Sequence, residues 1–222
     1  MLGKEHAAAV FKLLFFLGCM SVFIDSSKFP FLTSLSKNAA LIADELKAAL
    51  ESNQYVRDTV GTEKKIDPRS DEWSWDNGIN RDAVGYDLRE GGYSMLALYK
   101  KNSVPHSVDV TSLFPETFSL LEQVPGLQYA AFAALPPRGH LGRHAHSRSH
   151  FVFHVLLSDL IDGRCEVSCG SHVKALERAG DSVLFDYSLP HETRNYASNT
   201  RFNLLVDFTP KLGAVPIAAN LI

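Results

Sequence analysis

Histidines are crowded into one short stretch of this 222-residue chain, GHLGRHAHSRSHFVFH, which spans positions 139–154. Five of the nine histidines of the chain lie there, namely His140, His144, His146, His150 and His154. Neutral imidazole nitrogens bind iron, zinc and copper, so a cluster this dense indicates a metal site. Isolated histidines are more often surface or core residues, and the interpretation therefore needs support from residues elsewhere in the chain.

Three of the histidines are candidate metal ligands. His144 and His146 are two residues apart, so their side chains share one face of an extended segment. His191 opens the strand-like segment HETRNY after the turn at SLP. Because a late strand of a jelly roll returns beside an early one, we predict that His191 meets His144. His146 is either a third ligand or a loop residue that bonds to substrate or solvent.

Arg201 indicates an anion near this site. It follows His191 by ten residues and enters the otherwise apolar segment RFNLLVDF. A buried guanidinium keeps its charge and pairs best with a carboxylate that accepts two hydrogen bonds. That carboxylate belongs either to a metal-chelating keto acid or to an internal partner, Asp186 or Asp207.

The elements that position these residues begin with a helical N-terminal part. The segment FPFLTSLSKNAALIADELKAALES has apolar residues at helical spacing, with Ser36 or Asn38 as a start cap. A polar segment, 53–82, is predicted to be an irregular loop. A strand at YSMLALYKKN and a short helix at FPETFSLLEQVPG follow it.

From position 127 the chain changes to short apolar or alternating segments, separated by turn signals such as Pro136-Pro137 and Asp162-Gly163. The segments are LQYAAFAAL, HFVFHVLL, RCEVSC, SVLFDYS, HETRNY and RFNLLVDFT. Short strands at this spacing predict a β-sandwich or barrel. We therefore predict an α+β protein, mainly β, with N-terminal helices packed on a jelly-roll core at about residues 127–210.

Composition and the N-terminus limit the remaining possibilities. A net charge of -3 and a pI near 6.3 argue against nucleic-acid binding, and three cysteines cannot build a disulfide framework. Residues 7–24 form a largely apolar run with a single charge, Lys12. We predict an apolar helix within residues 1–27, which either docks on the domain or attaches it to a membrane, and a single domain over 28–222. The protein is accordingly expected to be cytoplasmic or membrane-associated.

The sequence resembles the aspartyl/asparaginyl β-hydroxylases, which are iron(II)- and 2-oxoglutarate-dependent dioxygenases and include lipid A hydroxylases. The resemblance runs through FPETFSLLEQVPG, RGHLGRHAH, GRCEVSC and DSVLFDYSLPHETRNYASNTRFNLLVDF, and extends weakly to Lys28 and Pro210. Its most specific element is FDYS followed by His191 and by an arginine ten residues later. The resemblance implies a double-stranded β-helix (cupin-like) core and a dioxygenase-like domain.

The resemblance also assigns roles to particular residues. His144 and His191 match the two iron-binding histidines, and Arg201 matches the arginine that pairs with the distal carboxylate of 2-oxoglutarate. His154 matches a histidine near the metal-binding end of that cosubstrate. Some relatives bind iron through only two side chains, which fits the absence of an Asp or Glu at position 146, where this chain has His146.

Two positions depart from the family pattern. An arginine usually stands two residues before the histidine that His154 matches, and here that position is Val152. Arg148, in the preceding loop, is a candidate replacement in cosubstrate binding. A hydroxyl often assists the distal-carboxylate arginine from the preceding strand, and here the position, near Ala133, holds alanine.

The function implied by the resemblance is hydroxylation of an unactivated carbon with iron(II), 2-oxoglutarate and O2. Candidate substrates are a peptidyl Asp or Asn, an acyl chain or a small amino-acid-like molecule, and the apolar N-terminus favours a substrate near a membrane. Two alternatives stay open. One is a zinc hydrolase that uses His144, His146 and His191. The other is a non-catalytic binding module that retains the fold, which the departures at Val152 and Ala133 favour.

Overall fold

The computed structural model describes residues 21–61, 93–102, 109–146 and 150–209. Within these ranges the α-helical segments are α1 (Pro30–Lys37), α2 (Ala39–Ser52), α3 (Gln54–Val56) and α4 (Pro115–Leu121). Two 3-10 turns lie at Ser26–Lys28 and Thr111–Leu113, and a π-helical turn lies at Arg57–Gly61. The strands are β1 (Ser94–Lys100), β2 (Leu127–Leu135), β3 (His140–His144), β4 (Phe151–Leu156), β5 (Cys165–Cys169), β6 (His172–Leu176), β7 (Ser182–Asp186), β8 (His191–Asn195) and β9 (Arg201–Phe208).

The strands form two antiparallel sheets that face each other. One sheet has the order β1-β2-β9-β4-β7 and the other has the order β3-β8-β5-β6. Apart from the β5–β6 hairpin, strands β2 to β9 therefore alternate between the sheets in the order of a double-stranded β-helix, and β1 extends the first sheet at one edge. This topology confirms the predicted jelly-roll, cupin-like fold.

Alternation along the strands creates two hydrophobic cores. Leu204 and Val206 of β9 face outward and pack against α1 and α2, through residues such as Leu32 and Ile42. Leu205 lies between them in sequence and faces the barrel interior, in the core that also holds residues of the second sheet. The N-terminal helices thus cover the outer face of the first sheet, as predicted.

The predicted N-terminal helix is divided in two at Asn38. Pro30 occupies the first turn of α1, where a missing N–H costs nothing. Asn38 precedes α2, as expected of a start cap, but its Nδ2 donates to the carbonyl oxygen of Ser34 and its side chain caps no N–H of α2. The side chain ends the first helix instead of starting the second.

The loop predicted from residue 53 begins as helix, so that part of the prediction was wrong. The Oδ1 of Asn53 accepts from the backbone N–H groups of Tyr55 and Val56, which caps α3. Val56 and Val60 are fully buried in the outer core, and this burial draws the turn onto the sheet. Residues 62–82 of the predicted loop lie outside the described residues.

The apolar N-terminal segment is described only from residue 21. Residues 21–25 are not helical, which contradicts the helix predicted there. The N–H of Ile24 donates to the carbonyl oxygen of Leu184 at 2.8 Å and Val22 is buried in the inner core, so the segment lies along β7. Across the described ranges, no helix is both long enough and apolar enough to cross a membrane.

Glu45 joins α2 to the first turn of α4. Its carboxylate accepts from the backbone N–H groups of Glu116 and Thr117 at 2.8 and 2.9 Å and from the Thr117 hydroxyl at 2.6 Å. We expect Glu45→Ala to lower the free energy of unfolding by about 1–2 kcal/mol, because it removes a charged cap from a helix start. Urea unfolding measures the loss. Glu51→Ala, at an exposed site on the same helix, is the control and should change stability by less than about 0.5 kcal/mol.

Candidate metal centre

Two facing strand ends bring three histidines together inside the barrel. His144 ends β3 and His191 begins β8, and the two residues are cross-strand partners whose ring centroids are 4.3 Å apart. His146 lies two residues beyond His144, with its ring centroid 5.2 Å from that of His144. One nitrogen from each ring lies within 4.8 Å of the others, and each residue is at most 4% exposed. The three side chains could hold a metal ion.

Backbone carbonyls fix the orientation of two of the rings. The Nδ1 of His144 lies 2.7 Å from the carbonyl oxygen of Gly142, and the Nδ1 of His191 lies 2.7 Å from that of Leu189. Because a carbonyl oxygen only accepts, each Nδ1 carries the proton and each Nε2 keeps a lone pair. Such outer contacts orient metal-binding histidines in proteins.

Aromatic packing positions His146. Its ring stacks on Tyr187 with centroids 3.5 Å apart, and it lies nearly parallel to His191 at 5.5 Å. The N–H of His146 also donates to the carbonyl oxygen of Tyr187 at 3.3 Å. The structure therefore places His146 beside the other two rings, as a third ligand would require.

Burial keeps His144 and His191 neutral, which is the form that binds metal. It lowers the pKa of His144 to about 4, partly offset by the carbonyl of Gly142. Burial, together with His144 and His146, holds the pKa of His191 well below the ordinary value of 6.5. At neutral pH the lone pairs are thus available without loss of a proton.

We expect the metal-free protein to lose stability as the pH falls from about 6.5 towards 4. The folded-state pKa of His144 is below the unfolded value, so the unfolded chain binds protons more readily in this window. This residue alone should lower the free energy of unfolding by about 2 kcal/mol between pH 7.5 and pH 5.0. Urea unfolding with a chelator present measures it. His144→Gln should flatten the profile, and equal pH dependence in both proteins would contradict the assignment.

A second polar group lies on the opposite sheet of the barrel. Arg201 begins β9 and is 1% exposed, and its Nη2 lies 3.1 Å from the Nδ1 of His154 on β4. The Nδ2 of Asn203 lies 3.3 Å from the same nitrogen. The Nε of Arg201, the Nε2 of His154 and the Oδ1 of Asn203 are buried, and no described group bonds to them.

The Arg201 guanidinium has no carboxylate partner among the residues that the structure describes. Asp186 accepts from the backbone and hydroxyl of Ser188, and the carboxylate of Asp207 lies 3.0 Å from the Nδ1 of His150. The predicted internal partners of Arg201, Asp186 and Asp207, are therefore engaged elsewhere. Such a guanidinium, at the inner face of a barrel, favours an anionic occupant.

Phe185 connects the two groups. Its ring centroid lies 4.9 Å from that of His191 and 5.9 Å from that of His154. Burial lowers the pKa of His154, and the charge of Arg201 and then His144 lower it further. The histidine cluster and Arg201 are thus linked inside the barrel through Phe185 and His154.

The positions that depart from the family pattern also face this interior. Val152 lies between Phe185 on β7 and Asp207 on β9 and is fully buried. Ala133 on β2 is the direct cross-strand partner of Asn203. Arg148, the candidate replacement for the missing arginine, lies outside the described residues.

The other two histidines of the dense stretch have separate contacts. The Nε2 of His140 lies 3.3 Å from the carboxylate of Glu192 at the surface, and His150 pairs with Asp207. Neither belongs to the cluster around His144: His140 begins β3, and His150 directly precedes β4.

Sequence reasoning missed three residues of the site, namely Asn203, Tyr93 and Tyr187. Asn203 could have been found, because it is the polar residue two positions after Arg201 and so shares its face. Tyr93 is buried just before β1; burial raises its pKa to about 12, and the nearby Arg201 opposes the increase. Tyr187 carries no pattern that would distinguish it from a core tyrosine.

The fold and the three histidines together define a cupin-type barrel with a candidate metal centre inside. The sequence profile of the aspartyl/asparaginyl beta-hydroxylase family matches residues 36–210. The match covers most of the chain, which therefore belongs to that family.

Other comparisons are distant. No curated protein matches the chain in sequence. The cupin domain of Schizosaccharomyces pombe Cnp3 is 10% identical, with a TM-score of 0.37 over 59% of this chain and 72% of that one. A predicted oxalate decarboxylase from Thermotoga maritima is 15% identical, with a TM-score of 0.37 over 59% and 97%. These similarities are too low to define the fold, which follows instead from the strand order.

Proposed function

We propose that the protein is an iron(II)- and 2-oxoglutarate-dependent dioxygenase. Its reaction is hydroxylation of an unactivated carbon in a peptidyl Asp or Asn, an acyl chain or a small amino-acid-like substrate. The observation that carries the proposal is that the barrel buries the cluster His144, His146 and His191 together with the charge of Arg201, linked through Phe185 and His154. Membership of a hydroxylase family supports the same reaction class.

The residues present fit the proposed metal and cosubstrate. Imidazoles suit iron(II), and the carbonyl contacts of His144 and His191 are made through Nδ1 and not through Nε2. The guanidinium of Arg201 and the Nε2 of His154 are buried polar groups suited to a carboxylate. Iron(II) with 2-oxoglutarate and O2 supplies the oxidising power needed to hydroxylate a C–H bond.

The chain itself binds and orients the metal and the cosubstrate, and it excludes water. Arg201 supplies the fixed positive charge that orients a dicarboxylate, and the carbonyls of Gly142 and Leu189 hold two rings in place. The fully buried Phe185 and Val152 line the interior with apolar surface, which keeps water from the reacting groups.

The zinc hydrolase alternative uses only part of this arrangement. Three histidines and a bound water would suffice for it, and Arg201 would then have no role in the chemistry. A non-catalytic binding module would account for Arg201 but leaves three ring nitrogens within 4.8 Å of one another without a purpose. The dioxygenase proposal accounts for both groups.

The test combines metal analysis with turnover. The purified full-length chain is loaded with iron(II), and succinate release from 2-oxoglutarate under air is measured with and without candidate substrates. We expect iron-dependent succinate formation that rises when a true substrate is present. Tight zinc binding with no effect of 2-oxoglutarate would support the hydrolase, and 2-oxoglutarate binding without succinate would support the binding module.

A further inference from the structure

Asn203 is the least expected polar residue of the barrel interior. It is fully buried on β9, between Arg201 and Leu205 on the inward face. Its Nδ2 lies 3.3 Å from the Nδ1 of His154, and its Oδ1 has no described partner. A buried amide in an apolar strand is costly unless its contacts serve a purpose.

The contacts of His154 determine which of its nitrogens carries the proton. The guanidinium of Arg201 only donates, and its Nη2 lies 3.1 Å from the Nδ1 of His154. The Nδ1 must therefore accept, and a neutral ring must carry its proton on Nε2. The same constraint orients Asn203, because an amide oxygen facing the Nδ1 lone pair would be repelled.

The proton on Nε2 of His154 consequently has no acceptor among the described residues. His154 is only 6% exposed, and its buried Nε2 has no partner in the described part of the chain. A buried donor held in one direction is suited to a carboxylate oxygen. Val152, two residues earlier on the same face, supplies no donor, so His154 has to provide one.

We propose that Asn203 is a positioning residue that, together with Arg201, holds His154 as the Nε2–H tautomer and so aims a neutral donor at the bound dicarboxylate. This inference rests on the proposed 2-oxoglutarate site. It assigns recognition of the dicarboxylate to one charged donor, Arg201, and one neutral donor, His154.

The first test measures the tautomer without any ligand. In the metal-free full-length protein, long-range 15N NMR of the histidine rings should show His154 with a protonated Nε2 and an unprotonated Nδ1. Asn203→Asp places a carboxylate beside Nδ1 that can also pair with Arg201, so Nδ1 no longer has to accept and the proton should move to Nδ1. A wild-type ring protonated on Nδ1 would overturn the proposal.

The second test measures affinity. Calorimetric titration of 2-oxoglutarate into the manganese(II)-loaded protein should show about tenfold weaker binding for Asn203→Leu, since one of two donors to Nδ1 is lost. The metal-free Leu variant should melt no lower than wild type, because a buried amide with an unbonded oxygen has been removed. A residue with a purely structural role would instead lower the melting temperature and leave the tautomer unchanged.

Ser94→Ala is the matched control. Ser94 is a buried polar residue on the same sheet, but it faces the outer core, where its hydroxyl contacts the carbonyl oxygen of Val60 at 3.4 Å. This variant should bind 2-oxoglutarate within twofold of wild type. Unchanged affinity and tautomer in Asn203→Leu, with normal wild-type binding, would refute the role of Asn203 alone. Absence of 2-oxoglutarate binding in the wild type would refute the proposed function and, with it, this role.

Discussion

Replacing Arg201 by methionine should weaken 2-oxoglutarate binding by at least about a hundredfold while metal affinity stays within about twofold of wild type. Arg201 is a charged residue buried to 1% exposure, and it has no carboxylate partner in the described ranges. Loss of a two-point, charge-assisted contact in such a place costs about 3–5 kcal/mol. Calorimetric titration of metal and then of 2-oxoglutarate separates the two affinities.

The same variant has a second expected effect, on the protein without ligand. Methionine has a similar length and no charge, so it fills the space without the cost of an unpaired buried guanidinium. The metal-free variant should therefore melt at or above the wild-type temperature. A marked loss of stability would instead indicate an internal partner for Arg201, and the carboxylate role would then be wrong.

Arg164→Met is the control for this experiment. Arg164 is half-exposed and pairs with Glu166 at 2.7 Å on the outer surface of the second sheet. Exposed pairs contribute little, so both affinities and the melting temperature should remain close to wild type. Equal losses of 2-oxoglutarate affinity in the two variants would show that general charge, and not the position of Arg201, governs binding.

The strands that build the site could be predicted because their patterns are strong. Segments such as RFNLLVDF and LQYAAFAAL alternate or are continuously apolar, and β9 and β2 follow them to within one residue. The pairing of His144 with His191 followed from jelly-roll topology together with the family resemblance. This pairing is a long-range contact, and the strand order fixes it once the fold is known.

Other elements lacked such a pattern. β6, with the sequence HVKAL, is exposed at all positions except Leu176, so its sequence shows neither alternation nor an apolar run. Asn53 is a residue type that caps helices, but the polar residues after it led to the prediction of a loop. Burial of Val56 and Val60 against the sheet stabilises the helical turns of that segment. Such packing cannot be predicted from the local sequence.

The hydrogen-bonding state of the site was the least accessible to sequence reasoning. That Arg201 contacts His154 depends on β9 and β4 being neighbours, and the tautomer depends on a distance of 3.1 Å between two nitrogens. Sequence identified the residue types, but the contacts that give them direction arise only from packing. The absence of an ion pair with Asp186 or Asp207 is a fact of the same kind.

The number of metal ligands is the second prediction with a large expected effect. We expect His144→Ala and His191→Ala each to weaken cobalt(II) binding by at least about a hundredfold, and His146→Ala by at least about tenfold. The basis is that all three rings offer a nitrogen within one 4.8 Å cluster. Replacing a residue that only supports a metal ligand typically lowers metal affinity about 10–100-fold. Cobalt(II) absorption bands report both affinity and coordination number.

His146 separates a three-histidine centre from a two-histidine centre. Its ring stacks on Tyr187 and lies nearly parallel to His191, so removal of the imidazole also removes packing, and affinity alone would not identify its role. His146→Phe keeps an aromatic ring in the stack but offers no nitrogen. If His146 is a ligand, both variants should lose affinity and change the cobalt spectrum; if it only packs, Phe should restore the wild-type spectrum. His140→Ala, whose ring contacts Glu192 at the surface, should leave the spectrum unchanged. A wild-type spectrum in His146→Phe would limit the protein ligands to His144 and His191, and the remaining metal positions would then be open to the cosubstrate and O2.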